Sequence, residues 1–482
     1  MAGDHWDVAA EEKAVWDMSS LIPIYIYHTN DLHSNLQQWP AAVSYIKKNR
    51  QFHEKKDETA LFFDIGDHAD RVHPVTESTR GKANVELINQ AGIHHATIGN
   101  NEGITLSKKE LESLYLHADF KVLLANLFDE AGEPPPWSQP FDILETKEGI
   151  RIGLIGLTVP FYPFYKELGW NVRDPLEILP ALLEKVKQQS DVVILLSHLG
   201  YPQDEKIART YNDIDVILGA HTHHLLKTSV LLNNTLIAQC GKSGFYVGQI
   251  KLEFDQNDQK VVKKEGAAVD VSREHAHPST SVLLHRLEQE AEEEMNTPVA
   301  RIFEELPVSW TTSSPFADLL ADGVRNWCDA EISMINSGLL LESLEPGIIT
   351  RKDLHRLCPH PINPCLLDVK GAVLKETIAA AFTEKMIHLP VKGLGFRGKV
   401  LGRMAFSGIK VVWEKKDPES GIKDIIIHGE HLDPKRTYQL ATADMFTFGP
   451  LFPGLSQSGP KKYFMPEMMR DVLAETLKYQ CR

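Results

Sequence analysis

Residues 191–198 read DVVILLSH and residues 215–223 read DVILGAHTH, two short apolar runs that each end in histidine. Short runs dominated by Val, Ile and Leu and bounded by polar or turn residues are the mark of buried strands rather than helices. The same texture recurs upstream in IPIYIYH (22–28), ALFFDIG (60–66), HHATIGN (94–100), KVLLAN (121–126) and RIGLIGL (151–157). Between these runs lie helix signals, such as the S-K-K-E capping box at 107–110 and Asp174-Pro175 opening an apolar-periodic stretch to about residue 189. Strands alternating with helices predict a layered α/β domain. FYVGQIKLEF (245–254) alternates like an edge or antiparallel strand that closes it.

Beyond that strand the pattern fades. Residues 255–280 are polar and predict a boundary, and SVLLHRLEQEAEEEM (281–295) reads as a charged connector helix with a solvated face. Further on, helices are expected at Ser314-Pro315, at Thr350 to Asp353 and along an Ala-rich run from Val373 to Met386. Strands are expected in MAFSGIKVVWE (404–414), DIIIHG (424–429) and TYQLATA (437–443), which makes a second, α+β domain. The chain thus divides into an N-terminal extension (1–20), an α/β domain (21–278), a linker helix (279–297) and a second domain (298–482).

At 482 residues with 43% hydrophobic and 24% charged side chains, the composition is that of a globular protein large enough to need no disulfide or zinc staple. Fifty-one basic residues against 66 acidic ones leave a net charge of −15, which disfavours a nucleic-acid polymer as partner. Cys240, Cys328, Cys358, Cys365 and Cys481 form no CxxC pair, so a reducing compartment is expected. The acidic N-terminus lacks the features of a signal peptide, and no uncharged apolar stretch approaches bilayer-spanning length. These features predict a cytoplasmic protein with no membrane partner, and they carry no signal for its oligomeric state.

The chemistry lies at the strand ends. N-D-L-H after the first run carries Asp31 and His33; G-D after the second carries Asp67; G-N after the third carries Asn100; the sixth ends at His198 and the seventh at His221 and His223. The carboxyl edge of an open α/β sheet is where loops converge on one crevice. Seven oxygen or imidazole donors exceed the needs of one ion with open positions, but suit two ions about 3.5 to 4 Å apart that share a carboxylate. The Asp-x-His and His-x-His spacings place both members on one side of an extended segment. Asn100 adds a neutral oxygen, which leaves room for an anionic substrate. Each fragment alone is ordinary turn chemistry; five in succession at strand ends point to two divalent ions. Manganese suits the mixed donor set best, with zinc, iron or cobalt as alternatives.

The order D-x-H, G-D, G-N, H, G-x-H-x-H resembles the calcineurin-like metallophosphoesterases. With its second domain, the chain from about residue 22 to 460 is similar to the 5'-nucleotidase family, which includes 2',3'-cyclic-nucleotide phosphodiesterases and nucleotide-sugar hydrolases. The resemblance implies an αββα sandwich followed by a smaller α+β 5'-nucleotidase C-terminal domain. It implies one ion on Asp31, His33, Asp67 and His223 and the other on Asp67, Asn100, His198 and His221, with Asp67 bridging. It further implies a hydroxide held by the metals that attacks the phosphorus of a small phosphate ester, a nucleotide or cyclic nucleotide, between two domains whose relative motion gates access. Pyrophosphate or nucleotide-sugar hydrolysis, and a non-catalytic nucleotide sensor, stand as alternatives.

The chain also departs from that family. Asn101 in G-N-N-E-G occupies the place of the histidine that protonates the leaving oxygen, and Ile104 that of the aspartate which orients it. An amide delivers no proton; the missing general acid, typically worth about 10²- to 10⁴-fold in rate, weighs most on poor leaving groups. G-D-H-A-D-R (66–71) resembles the GDxxDR of phosphoprotein phosphatases. It makes Arg71 either a phosphate anchor or a salt-bridge residue, and His68 either a replacement acid or a histidine that orients a metal ligand. In the second domain Asn336, Ser337 and Gly338 match the family pattern, but Leu341 stands where the phosphate-gripping arginine belongs. His360 replaces an aromatic and Asn363 matches the family asparagine. In ATADMFTFGPLFPG (441–454) Met445 holds the stacking position. Of Phe446, Phe448 and Phe452, two are expected in the core, with Phe448 the candidate base contact and Arg403 a second stacking plane.

Overall fold

The computed structural model describes residues 20–414 and 421–480, so the expected N-terminal extension apart from Ser20, and Cys481, lie outside the described residues. In the first domain the strand Leu21–Thr29 pairs in parallel with Thr59–Asp64, and the parallel run continues through His95–Ala96, Lys121–Leu123 and Ser138–Gln139. On its other side Leu21–Thr29 pairs antiparallel with Tyr246–Asp255 and through it with Lys260–Asp270. A second sheet runs Val230–Leu232, Thr235–Ala238, Val216–Gly219, Val192–His198, Arg151–Thr158, Phe141–Glu145.

Ile24, Ile26, Phe63, Leu154, Ile194, Leu196, Leu218 and Ile250 fill the space between the two sheets. The helices Trp39–Lys56, Lys82–Ala91 and Pro278–Met295 cover the first sheet, and Pro175–Lys187 and Tyr201–Thr210 cover the second. This is the expected αββα sandwich. Central strands covered on both faces must be apolar along their whole length, which is why the runs read without alternation. Asp174 and Ser107 cap their helices as expected.

Three local expectations are corrected. The strand expected over 94–100 shrinks to His95–Ala96, because Asn100 already opens the helix Asn100–Thr105. Residues 255–280 are not patternless: Lys260–Asp270 is the edge strand of the first sheet. An edge strand with a solvated face tolerates the lysines and glutamate that hid it. The linker helix does keep a solvated face, but Leu284, Leu287 and Ala291 are buried on the first domain.

The second domain folds over a five-stranded sheet in the order Met404–Ser407, Ile332–Asn336, Thr437–Ala443, Pro364–Lys370, Lys461–Tyr463, with a core of its own. Ser314 and Thr350 cap the helices Pro315–Trp327 and Arg351–Leu357. The Ala-rich helix stops at Ala381, and Thr383 caps a separate turn, Glu384–Ile387. The expected strand over 404–414 splits at Gly408, whose φ of +75° lets the chain pass from one sheet into another. No helix of the described residues is long and apolar enough to cross a membrane.

The domains meet along a face whose centre is charged. Glu77 accepts from Arg71 Nε at 2.8 Å and Nη2 at 3.0 Å, from Arg470 Nη2 at 2.6 Å, and also from Arg80. Glu77, Arg71 and Arg470 are all buried, and Arg470 comes from the helix Met469–Gln480 of the second domain. His355 Nε2 adds a bond to the Arg71 carbonyl at 2.9 Å. Beside this cluster Phe164 of the first domain packs edge-on against Phe448 and Tyr463 of the second, at 5.4 and 4.8 Å between ring centroids.

Candidate active site

Because the parallel strands all end at one edge, the loops behind them are stitched together there. Asp31 N donates to Gly66 O at 3.0 Å, His33 N to Asp67 O at 2.8 Å and Ser34 N to His68 O at 3.0 Å. Asn30 Nδ2 and the backbone N–H of His221 hold the Asp31 carboxylate. Glu102, buried on the helix after Asn100, accepts from the N–H groups of Asp67, Ala69 and Gly99 at 3.0, 2.8 and 2.9 Å, tying the second and third loops together. A Cβ on Gly99 would stand 2.0 Å from Asp67 Oδ1 and 2.5 Å from His198 Cε1, so only glycine fits against the pocket. Asp31, His33, Asp67, His221 and His223 all sit at left-handed φ, 51°, 47°, 50°, 73° and 58°. Strain of this kind persists where surrounding structure over-determines it, and it gathers at functional sites.

The side chains form two groups, Asp31, His33, His223 and Asp67, His198, His221, with the donor atoms of each group within 4.8 Å of one another. Asp67 Oδ2 faces both, 3.7 Å from His33 Nε2 and 3.5 Å from His198 Nε2. His198 Nδ1 donates to Ile65 O at 2.6 Å, which turns the Nε2 lone pair inward. His33 Nδ1 lies 3.3 Å from Asp70 Oδ2, leaving its Nε2 to face His223 Nε2 at 2.9 Å.

The carboxylates make the pocket strongly negative. Burial opposes charge on His198, yet Asp67 and Asp31 outweigh it and push the imidazole up to about 10. His33 is pushed up to about 9 against the same burial by Asp70, Asp67 and Asp31. Burial pushes His221 and His223 down to about 4, the neutral form that ligates a metal. Asn100 Oδ1 and His198 Nε2 are buried with no hydrogen-bond partner, the orphaned atoms a cation satisfies. Carboxylate, imidazole and amide donors together fit a pair of first-row divalent ions.

Asn101 also lies in this pocket. Its Nδ2 donates to Asp67 Oδ2 at 2.8 Å and sits 3.3 Å from His33 Nδ1. Other expected site residues are placed elsewhere. His68 packs into the first-domain core: its ring lies edge-on against Trp39 at 4.6 Å, Nδ1 lies 3.2 Å from Asn84 Nδ2, Nε2 is buried without a partner among the described residues, and burial pushes it down to about 3. Its contacts are those of a core histidine. Arg71 is a salt-bridge residue, spent on Glu77 and, through Nη1, on Thr105 O at 2.6 Å. It is not available to a phosphate, and with it goes the likeness to phosphoprotein phosphatases.

Asn336 is wholly buried, its Nδ2 bonded to Leu401 O at 2.7 Å. Asn363 spends its Nδ2 on Glu467 O at 2.7 Å. Both hold the second domain together rather than face the cleft. Arg403 lies over Phe382, 4.9 Å from the ring centroid, in a hollow of about 780 Å³ lined by second-domain residues such as Lys375 and Trp413, away from the ligands. Phe446 and Phe452 are core as expected, whereas Phe448 is half-buried at the domain boundary.

Three pocket residues escaped the sequence reading. Asp70, in the same G-D-H-A-D-R, orients His33 and accepts from Arg397 Nη2 of the second domain at 3.2 Å. Phe161 follows the strand Arg151–Thr158 and its ring lies 5.9 Å from that of His221. That strand ends without a metal-type residue, so the apolar PFYPF behind it carried no signal. Arg397 sits in G-L-G-F-R-G-K (393–399), which has no helix or strand periodicity.

Residues 24–225 match the family model of the calcineurin-like phosphoesterases, and residues 295–450 that of the 5'-nucleotidase C-terminal domain. An uncharacterized metallophosphoesterase of Bacillus subtilis (strain 168), YunD, is 45% identical over 454 residues, covering 93% of this chain and 98% of its own length. Among solved structures, the NAD nucleotidase NadN of Haemophilus influenzae superposes with a TM-score of 0.68 at 17% identity, covering 96% of this chain and 97% of its own. A 5'-nucleotidase precursor of Thermus thermophilus superposes with a TM-score of 0.58 at 20% identity, covering 95% and 97%. At such identities these two likenesses are of fold.

Proposed function

The chain belongs to the calcineurin-like metallophosphoesterases with a 5'-nucleotidase C-terminal domain, and on that premise we propose that it hydrolyses a nucleotide, with a 2',3'-cyclic or otherwise activated phosphate preferred over a 5'-monophosphate. It is a metal-dependent phosphoester hydrolase. The observation that carries the reading is Asp67 Oδ2, which faces two separate clusters of donors at once. Asp31, His33, Asp67 and His223 would hold one ion, and Asp67, Asn100, His198 and His221 the other. When bound, two divalent cations, manganese in our reading, supply Lewis acidity to the phosphoryl oxygens and to the attacking water.

The chain's own residues do the rest by positioning, which is most of the catalysis of phosphoryl transfer. Asp70 and Ile65 O fix the ring orientations of His33 and His198. Asn101 donates a hydrogen bond to Asp67 and carries no transferable proton. With His68 in the core, a leaving oxygen must depart without a protein acid at that place, which supports the preference for cyclic phosphates, anhydrides and aryl esters. Phe448 and Phe161 offer aromatic faces to a base on the way from the ligands to the second domain.

Manganese-loaded protein should hydrolyse a 2',3'-cyclic nucleotide and an aryl phosphodiester with higher kcat/KM than a nucleoside 5'-monophosphate. Equal efficiencies would show that an acid is present after all. Protein that binds manganese and nucleotide but turns over not even the aryl ester would be the sensor instead.

A further inference from the structure

Arg397 reaches the pocket from the other domain. Its Nη2 lies 3.2 Å from Asp70 Oδ2, and that same oxygen is 3.3 Å from His33 Nδ1. The guanidinium stands two contacts from the ligand cluster with 34% of its side chain still exposed, whereas Asp70 is 2% exposed. Its other contact is a long one, Nη1 to Phe396 O at 3.4 Å. A guanidinium has five N–H donors, so Nε–H and a second hydrogen on each terminal nitrogen have no partner among the described residues.

The loop that carries Arg397 is built to hold it. Its backbone N–H donates to His360 Nδ1 at 2.9 Å, so His360 must donate from Nε2, which it does to Leu339 O at 3.0 Å. The His360 ring stacks on Phe396, 5.1 Å between centroids and 6° between planes. A Cβ on Gly395, at φ +75°, would lie 2.4 Å from Pro361 O, and one on Gly398 would lie 2.6 Å from Gly338 O. The loop is thus pressed against the domain on both sides of the arginine. His360 does not stack a substrate base; it pins this loop.

We propose that Arg397 binds the phosphoryl group of the substrate and adds binding affinity for a phosphomonoester dianion, supplying from a different loop the cation that Leu341 cannot; the missing acid still sets which ester turns over faster. The proposal rests on the phosphohydrolase reading above. Asp70 aims the guanidinium, and the unpaired N–H donors form the fork that matches two oxygens of a phosphate. A monoester offers one more negative charge and one more terminal oxygen than a cyclic diester, and a guanidinium at this position reads that difference.

The test uses the manganese-loaded full chain, its R397A and R397K variants, and two readouts. Calorimetric binding of orthophosphate should weaken about tenfold or more in R397A and recover in part in R397K, as expected for loss of charge-assisted hydrogen bonds. KM for a nucleoside 5'-monophosphate should rise by a similar factor, while KM for a 2',3'-cyclic nucleotide moves less than about threefold. Unchanged phosphate affinity, equal effects on both substrates, or a wild type that binds no phosphate would overturn the proposal. A wild type that binds phosphate through Arg397 yet hydrolyses neither substrate would overturn the hydrolase reading and leave the phosphate contact standing. Manganese content and thermal midpoint of R397A equal to wild type separate this role from a structural latch.

Discussion

Asp70 and Arg71 are neighbours in the chain and meet the second domain in opposite ways. Asp70 points to the metal pocket, where its partner Arg397 is 34% exposed. Arg71 points into the domain boundary, where it, Glu77 and Arg470 are 9% exposed or less. Both are carboxylate–guanidinium contacts between the same two bodies. The buried cluster is mostly spent on itself, with Arg470 Nε the buried guanidinium atom left without a partner among the described residues, and rotating the second domain has to break the Glu77–Arg470 bond. The pocket pair keeps unused donors in water. Burial, and not the residue type or the motif around it, decides which arginine can meet a phosphate.

The pocket side fails most completely at its shared carboxylate. Asp67→Ala should reduce hydrolysis to background and lower bound manganese at the same time, measured by turnover and by elemental analysis. Loss of activity with full metal content would mean that Asp67 does not face both ions. On the buried side, Glu77→Ala leaves Arg71 and Arg470 uncompensated in the interior, and thermal or urea unfolding should show a loss of about 3–5 kcal/mol. The contrasting Arg397→Ala, at a partly exposed pair, should cost less than about 1 kcal/mol in the same assay. Comparable losses would erase the distinction between the two contacts.

Between these lies a gain of function. Asn101→His should raise 5'-monophosphate turnover, by up to about 10²-fold if the new imidazole protonates the leaving oxygen; no rise would mean that the acid belongs elsewhere. The smallest effect is a pH slope. Burial opposes the charge on Glu77, but Arg470, Arg71 and Arg80 outweigh it and hold the carboxyl well below its ordinary value of 4.5. A depressed native value makes its contribution to stability complete above 4.5 and lost as pH falls toward the native value. The thermal midpoint of the wild type should therefore fall more steeply below pH 4.5 than that of E77Q. Parallel curves would show that Glu77 is not charged in the cluster.

The placement of the candidate ligands was legible because each is local: a buried strand announces itself in its apolar run, and the residue just after its carboxyl end can go to few other places. Asp31, His33, Asp67, Asn100, His198, His221 and His223 needed only that rule. Arg71 stayed open between phosphate anchor and salt bridge, and His68 between acid and ligand support, because a short motif does not tell which way consecutive side chains point in a loop; tight packing against Glu77 and Trp39 decided it. Arg397 was illegible because its place depends on how two domains dock, with a partner 327 positions away. Lys260–Asp270 was lost for a different reason, since an edge strand in water needs no apolar run.

The pairing of Glu77 with Arg470 joins positions 393 apart. A chain emerging from the ribosome in order thus has all seven pocket donors before the helix Met469–Gln480 exists. In the interval Arg71 and Glu77 neutralise each other through two parallel bonds, so the charged part of the waiting surface is satisfied within its own domain. A product cut short ahead of Arg470 should keep its grip on cations while losing the clasp that seats the covering half.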